Sequence, residues 1–115
     1  MGIRHHLRRA PAVSASEALA LHAAGAVIVD VRREFEWRRN RIPGAVHIPL
    51  EDLETRCEEL PDDRLLLTFC TGGLRSAGAA NMLNDWGFTA RNMTKGLIDW
   101  RAAGGDLEGS KNDSG

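Results

Sequence analysis

Within seven residues, the run Cys70-Thr71-Gly72-Gly73-Leu74-Arg75-Ser76 brings together a thiol, two adjacent glycines, a guanidinium and a hydroxyl. The thiolate is the reactive form of cysteine, and it attacks a sulfane sulfur, a disulfide or a phosphorus centre. Paired glycines let the backbone curl until successive N–H groups converge on one point, and such a concavity holds an anion or a thiolate. Helix N-terminal N–H groups and Arg75 both favour a negative sulfur at Cys70. The N–H groups from Thr71 to Ser76 are expected to carry that charge. A cysteine at the end of a buried strand is otherwise a small core residue. The glycines, the arginine and the helix start are what point to chemistry.

Strand-like and helix-like segments alternate along the chain and place this loop. Ser14-Ala15-Ser16-Glu17 offers cap residues for a short helix stopped by Gly25. Val27-Ile28-Val29-Asp30-Val31 is an apolar, β-branched run of the kind found in strands covered on both faces. A charged segment, Arg32 to Arg41, leads to a turn at Pro43-Gly44 and the short extended piece Val46-His47-Ile48-Pro49. Leu50, Leu53, Cys57 and Leu60 keep spacings of three or four and predict an amphipathic helix closed by Pro61. Leu65-Leu66-Leu67-Thr68-Phe69 reads as a second buried strand, so Cys70 stands directly at its carboxyl end. Ala77, Ala80, Met82, Leu83 and Trp86 mark a helix ending at Gly87, followed by a strand over 88–93 and a last helix over 97–103. This alternation predicts an α/β domain with a mainly parallel sheet, whose functional crevice lies beyond the carboxyl ends of the strands.

Composition narrows the function classes. The 115 residues suit a single domain, and 43% hydrophobic with 27% charged residues is globular rather than disordered. Fifteen basic against 16 acidic residues leave a formal charge of −1, which gives no global reason to expect nucleic acid or an anionic membrane as partner. The two cysteines, Cys57 and Cys70, form no CxxC pair and no metal-ligand cluster, so neither a disulfide scaffold nor a zinc site is suggested. No apolar run is long enough to span a bilayer, and the basic start lacks the apolar stretch of a secretory signal. A cytoplasmic location is expected. Residues 1–12 read as an N-terminal extension, 13–108 as the domain and 109–115 as a flexible C-terminal tail.

The chain resembles the rhodanese-like (sulfurtransferase) domain family. The resemblance spans about Val13 to Glu108 and rests on five landmarks in order: Asp30-Val31-Arg32; Glu36-Trp37; Ile42-Pro43-Gly44-Ala45-Val46-His47-Ile48-Pro49; the loop Cys70 to Ser76; and Lys95-Gly96-Leu97-Ile98-Asp99-Trp100-Arg101-Ala102-Ala103-Gly104. Asn40-Arg41 stands where a Gly-His pair is frequent, and Lys95-Gly96 where Gly-Gly is common, so the entrance of the site departs from the usual pattern. The resemblance implies a single domain with a central, mainly parallel five-stranded sheet flanked by helices, no cofactor, and a cysteine that carries sulfur as a persulfide. It also separates two branches. From Cys70 to Arg75 the loop has the six-residue form of sulfurtransferases, and Phe69 stands where the phosphatase branch commonly has histidine.

The expected reaction is transfer of sulfane sulfur from thiosulfate or a persulfide to cyanide, a thiol or a protein acceptor through Cys70. Arg75 is expected either to stabilise the anion directly or to form an ion pair with Glu36 or another acid. Asp30 is placed to bond the loop from behind and Arg32 to face the crevice, both with structural pairing as the simpler role. His47 is expected at the rim or in packing; Trp37, Trp86 and Trp100 are expected in the core. Arg32, Arg33, Arg38, Arg39 and Arg41 form a local basic cluster, a solvated face unless it borders the crevice. Cys57, on a helix, is a remote candidate for a resolving thiol. Other readings are a persulfide relay with little thiosulfate turnover, a phosphatase or arsenate reductase on the same fold, and an inactive copy. A complete single-domain protein, with its acceptor supplied from outside, is the organisation expected; oligomeric state is left open.

Overall fold

The computed structural model describes residues 9–109; the expectations for residues 1–8 and 110–115 fall outside it. In chain order the elements are β1 (Ala12–Val13), α1 (Ala15–Ala23), β2 (Val27–Asp30), α2 (Glu34–Arg39), β3 (Val46–His47), α3 (Leu53–Arg56), β4 (Leu65–Phe69), α4 (Leu74–Asp85), β5 (Thr89–Met93) and α5 (Gly96–Ala102). The strands form one five-stranded sheet in the order β1-β5-β4-β2-β3, every pair parallel. This is the α/β architecture expected.

Both faces of the sheet are covered, which is why its central strands read as continuous apolar runs. Val29, Leu66 and Ala90 face one cluster with Leu53, Leu60, Ala79, Ala80 and Leu83 from α3, α4 and the turn after α3. Ile28, Leu67 and Met93 face the other with Val13, Ala18 and Trp100. Successive residues of a strand alternate between the two clusters, as the pleat requires. Each fully buried aliphatic side chain contributes about 1.5–3 kcal/mol.

From β2 the chain moves outward to β3, then returns across β2 to β4 and continues to β5. The direction of winding therefore reverses between β2 and β4, the point at which open α/β sheets place a crevice, outside the carboxyl ends of the strands. Register aligns those ends: Asp30 lies opposite Phe69 and His47, and Thr68 opposite Asn92.

Four features differ from the sequence expectations. The charged segment Arg32–Arg41 contains the helix α2; no residue of α2 is buried, so it carries no apolar stripe to announce it. Its first turn is held instead by Glu36 Oε1 accepting from the Arg33 N–H at 3.0 Å. The amphipathic segment after Pro49 is not one helix: single turns of 3-10 helix at Leu50–Asp52 and Cys57–Glu59 flank the short α3. The spacings of three between Leu50 and Leu53 and between Cys57 and Leu60 suit 3-10 turns, in which such residues eclipse. The edge strand β1 is two residues long, and its neighbour Pro11 already accepts from the Asn92 N–H at 2.7 Å. Trp100 is core, but Trp37 and Trp86 are half-buried. Arg41 and Glu108 exchange both backbone hydrogen bonds, at 2.8 and 2.9 Å, which anchors the end of the described chain. Among the described residues no helix is long and apolar enough to cross a membrane.

Candidate active site

Cys70 follows β4 and is 1% exposed. Its Sγ accepts from the Gly73 N–H at 3.0 Å and from the Ser76 N–H at 3.4 Å, while Ser76 Oγ lies 3.3 Å away. Gly73 caps α4 and Ser76 is in its first turn, so both donors are helix N-terminal N–H groups without an intrahelical partner. A negative charge on sulfur is favoured at that end of the helix dipole. Of the two glycines, Gly73 is the one that shapes the cradle. Its φ is +93°, a left-handed conformation that turns its N–H toward the sulfur.

Behind the sulfur lies a buried polar network. Ser76 Oγ donates to Asn92 Oδ1, and Asn92 Nδ2 donates to the Gly73 carbonyl at 3.2 Å. Thr68 Oγ1 donates to the Ser76 carbonyl at 2.7 Å. Thr68 and Asn92 face each other across β4 and β5, so the sheet itself fixes the first turn of α4. Asn92 and Thr68 were not among the candidates from sequence. Asparagine is depleted in strands, and its position near the carboxyl end of β5 is the signal that marks it.

Glu36 joins α2 to the loop. Its two oxygens accept from Arg75 Nη1 and Nη2 at 2.8 and 2.9 Å, and Oε2 also accepts from Thr71 Oγ1 at 3.2 Å. The Arg75 guanidinium beside it, helped by the Arg33 N–H and Thr71, outweighs partial burial and holds the Glu36 carboxyl down at about 2. Arg75 is in turn held above its ordinary value, first by Glu36 and then by charge on Cys70 and Asp30. Of the two roles open to Arg75, the geometry displays the ion pair.

Asp30 and Arg32 form a buried pair, with Arg32 Nε and Nη2 on the carboxylate at 2.8–3.2 Å. Arg32 is 1% exposed and also donates to the Asn40 carbonyl and Oδ1, with its guanidinium over the Phe69 ring. It points inward, not into the crevice, because a buried guanidinium requires a carboxylate partner and Asp30 is the one at hand. Both Asp30 oxygens accept from Arg32, so this carboxylate braces the strand ends and not the cysteine loop. His47 donates from Nε2 to the Arg32 carbonyl at 2.8 Å and stacks on Trp37, a packing role.

The basic cluster is dispersed: Arg32 is buried, Arg38 pairs with Glu34, and Arg41 pairs with Glu108 and lies over Trp37. Cys57 is a half-buried thiol that donates to the Glu54 carbonyl at 3.5 Å. Leu74, in the loop, is 79% exposed, and Thr71 and Gly72 are exposed beside it.

Residues 14–103 match the family described as Rhodanese-like domain. An HTH-type transcriptional regulator of Mycobacterium tuberculosis is 34% identical over 96 residues, which cover 81% of this chain and 42% of the regulator. A putative sulfur carrier protein of Bacillus subtilis is 39% identical over 74 residues, covering 64% of this chain and 40% of that protein. This chain thus spans about two fifths of each of these relatives. Among solved structures, a thiosulfate sulfurtransferase from Pseudomonas aeruginosa superposes with a TM-score of 0.78 at 32% identity, covering 89% of this chain and 21% of that one. Sheet order, the position of the thiol loop and a match across most of the sequence agree: the chain belongs to the rhodanese-like family, among whose members are sulfurtransferases.

Proposed function

We propose that this protein transfers sulfane sulfur through a Cys70 persulfide. The Cys70 thiolate attacks the outer sulfur of a donor such as thiosulfate; the donor's S–S bond breaks and sulfite leaves with the bonding pair. A Cys70 persulfide remains, its terminal sulfur anionic. A thiolate of a small molecule or a protein, or cyanide in an assay, then attacks the terminal sulfur and Cys70 leaves as thiolate. Atoms and charge balance in both half-reactions, and the scheme is ordinary two-step covalent catalysis.

The observation that carries this reading is the pair of N–H groups, Gly73 and Ser76, aimed at Cys70 Sγ. Donors fixed before the reaction stabilise the anionic sulfur without reorganisation. Such chemistry needs a reduced thiol and fits a reducing compartment such as the cytoplasm.

A relay that takes sulfur from a protein persulfide, with little thiosulfate turnover, is the second reading. It is favoured by the commitment of Arg32 and Arg75 to carboxylates, which removes both arginines from anion capture. Mass spectrometry after incubation with thiosulfate tests the first reading. One added sulfur atom, removed by cyanide and absent in Cys70→Ser, is the result expected; cyanide-dependent thiocyanate formation undiminished in Cys70→Ala would overturn it. Sulfur accepted only from a protein persulfide would favour the relay.

A further inference from the structure

Among the described residues, Lys95 alone is a non-glycine residue with positive φ, at φ 57° and ψ 7°. Left-handed backbone brings an L side chain against the following carbonyl, a cost that glycine avoids. Strain of this kind persists where surrounding structure enforces it, and it gathers at functional sites. Lys95 is at such a place. Its N lies 3.0 Å from where a Cβ on Gly73 would stand, and Gly73 is the residue whose N–H meets the Cys70 sulfur. The next two residues press on the same loop: a Cβ on Gly96 would fall 1.8 Å from the Cys70 carbonyl oxygen, and the Leu97 N–H donates to the Thr71 carbonyl at 3.3 Å. The Lys95 side chain is exposed.

Three arginines of this end of the sheet are committed. Arg75 spends two nitrogens on Glu36, Arg32 is buried on Asp30 and Asn40, and Arg41 pairs with Glu108. Backbone N–H groups hold an anion at contact, but a net charge is what attracts one from solution. A lysine supplies that charge as an ammonium on a flexible stem, able to follow anions of different size.

We infer that Lys95 is the anion-recruiting residue of the Cys70 site, selecting sulfur donors that carry their sulfane sulfur on a sulfonate-like anion. The left-handed backbone at 95 is the cost of keeping a cation on the rim of the cradle. This rests on reading Cys70 as the sulfur-accepting nucleophile, and it adds a cation where Arg32 and Arg75 are unavailable.

The test compares alkylation of Cys70 by iodoacetate, an anion, and by iodoacetamide, its neutral analogue, in a Cys57→Ser background. At low ionic strength the iodoacetate-to-iodoacetamide rate ratio is expected to fall about three- to tenfold in Lys95→Gly, as for loss of one charge near the reacting centre. Lys95→Arg retains the ratio, and high salt removes the difference between Lys95 and Lys95→Gly. The melting temperature of Lys95→Gly rises, because glycine accepts the left-handed backbone. A ratio unchanged in Lys95→Gly, or lowered equally in Lys95→Arg, overturns the inference. The readout is independent of sulfur transfer: thiosulfate sulfur loading with an unchanged ratio would sink the Lys95 assignment alone, whereas a lowered ratio without loading would sink the sulfur reading and with it the donor selection, leaving Lys95 only as a residue that draws anions to Cys70.

Discussion

Glu36 and Arg75 stand 39 residues apart in sequence and are joined oxygen to nitrogen at both ends of their planar groups, at 2.8 and 2.9 Å. The same carboxylate accepts from Thr71, so one side chain on α2 restrains the loop at its second and sixth residues. Paired, planar contacts of this kind combine charge with fixed orientation. Arg75 is thereby converted from a mobile cation into a strut, and the cradle around Cys70 is held from outside the loop that forms it.

Acid should dissolve this clamp in a defined window. Glu36 titrates at about 2 in the folded chain against an ordinary 4.5, so its contribution is fully present above pH 4.5 and is lost as pH falls toward 2. Because the pair is open to solvent on one side, about 1–2 kcal/mol is the stability expected from it after screening. Glu36→Gln should lose that amount at pH 7, and urea titrations should show the two proteins converging as pH drops from 4.5 to 2. A gap that is constant across this range would contradict the account.

A second prediction concerns the single proton on Ser76 Oγ. The hydroxyl has three acceptors in reach, Asn92 Oδ1, the Gly73 carbonyl and Cys70 Sγ. Ser76→Ala leaves Asn92 Oδ1 buried without its donor, a loss of about 1–3 kcal/mol in unfolding free energy. Asn92→Ala removes the partner of Ser76 and a donor to Gly73 together, and should cost at least as much while loosening the Gly73 N–H that meets the sulfur. Chemical denaturation measures the stability loss. The rate of Cys70 alkylation should fall in Asn92→Ala, and an unaltered rate would separate this network from the thiol.

The central strands were legible because burial on both faces writes a continuous apolar run, as in Leu65–Phe69 and Val27–Asp30. The loop was legible because Cys70, Gly73 and Ser76 lie within one turn of chain, so local sequence contains the sulfur and both of its N–H donors. What supports the loop was less so. Glu36 is expected from sequence as one partner open to Arg75, but its bond to Thr71 arises through tertiary approach, and α2 has no buried residue from which a helical period might be read. Asn92 reaches Ser76 across the β4–β5 register, and the Lys95 backbone comes against Gly73 from the far end of β5. Spacing along a chain encodes contacts within an element; Glu36, Asn92 and Lys95 act between elements.

The buried pair Asp30–Arg32 supplies a third prediction. Removing one partner strands a charge in the interior, and Asp30→Ala should destabilise by about 3–5 kcal/mol. Arg32 would then keep only its Asn40 contacts and the face of Phe69. The double substitution Asp30→Leu with Arg32→Met removes both charges and should recover much of the loss, since apolar replacements of similar volume are often tolerated. Thermal or denaturant unfolding of the single and double variants checks this. A double variant no more stable than Asp30→Ala would mean that the bonds to Asn40, rather than the charge pair, carry the stability.

Gly96 offers the sharpest separation of site from fold. Its φ is +48°, and a Cβ there would lie 1.8 Å from the Cys70 carbonyl oxygen and 2.4 Å from that of Thr71. Both are backbone atoms, so relief requires moving the Cys70 loop itself, whereas the apolar clusters on either face of the sheet lie outside the contact. Displacement by about 1 Å costs on the order of 100-fold in rate when reacting groups depend on exact placement. Gly96→Ala should therefore cut sulfur transfer by about 100-fold while the protein remains folded by circular dichroism, its melting temperature lowered by a few degrees. Full activity in Gly96→Ala would show that the loop has room to shift, and that the close approach of α5 to Cys70 does not position the thiol.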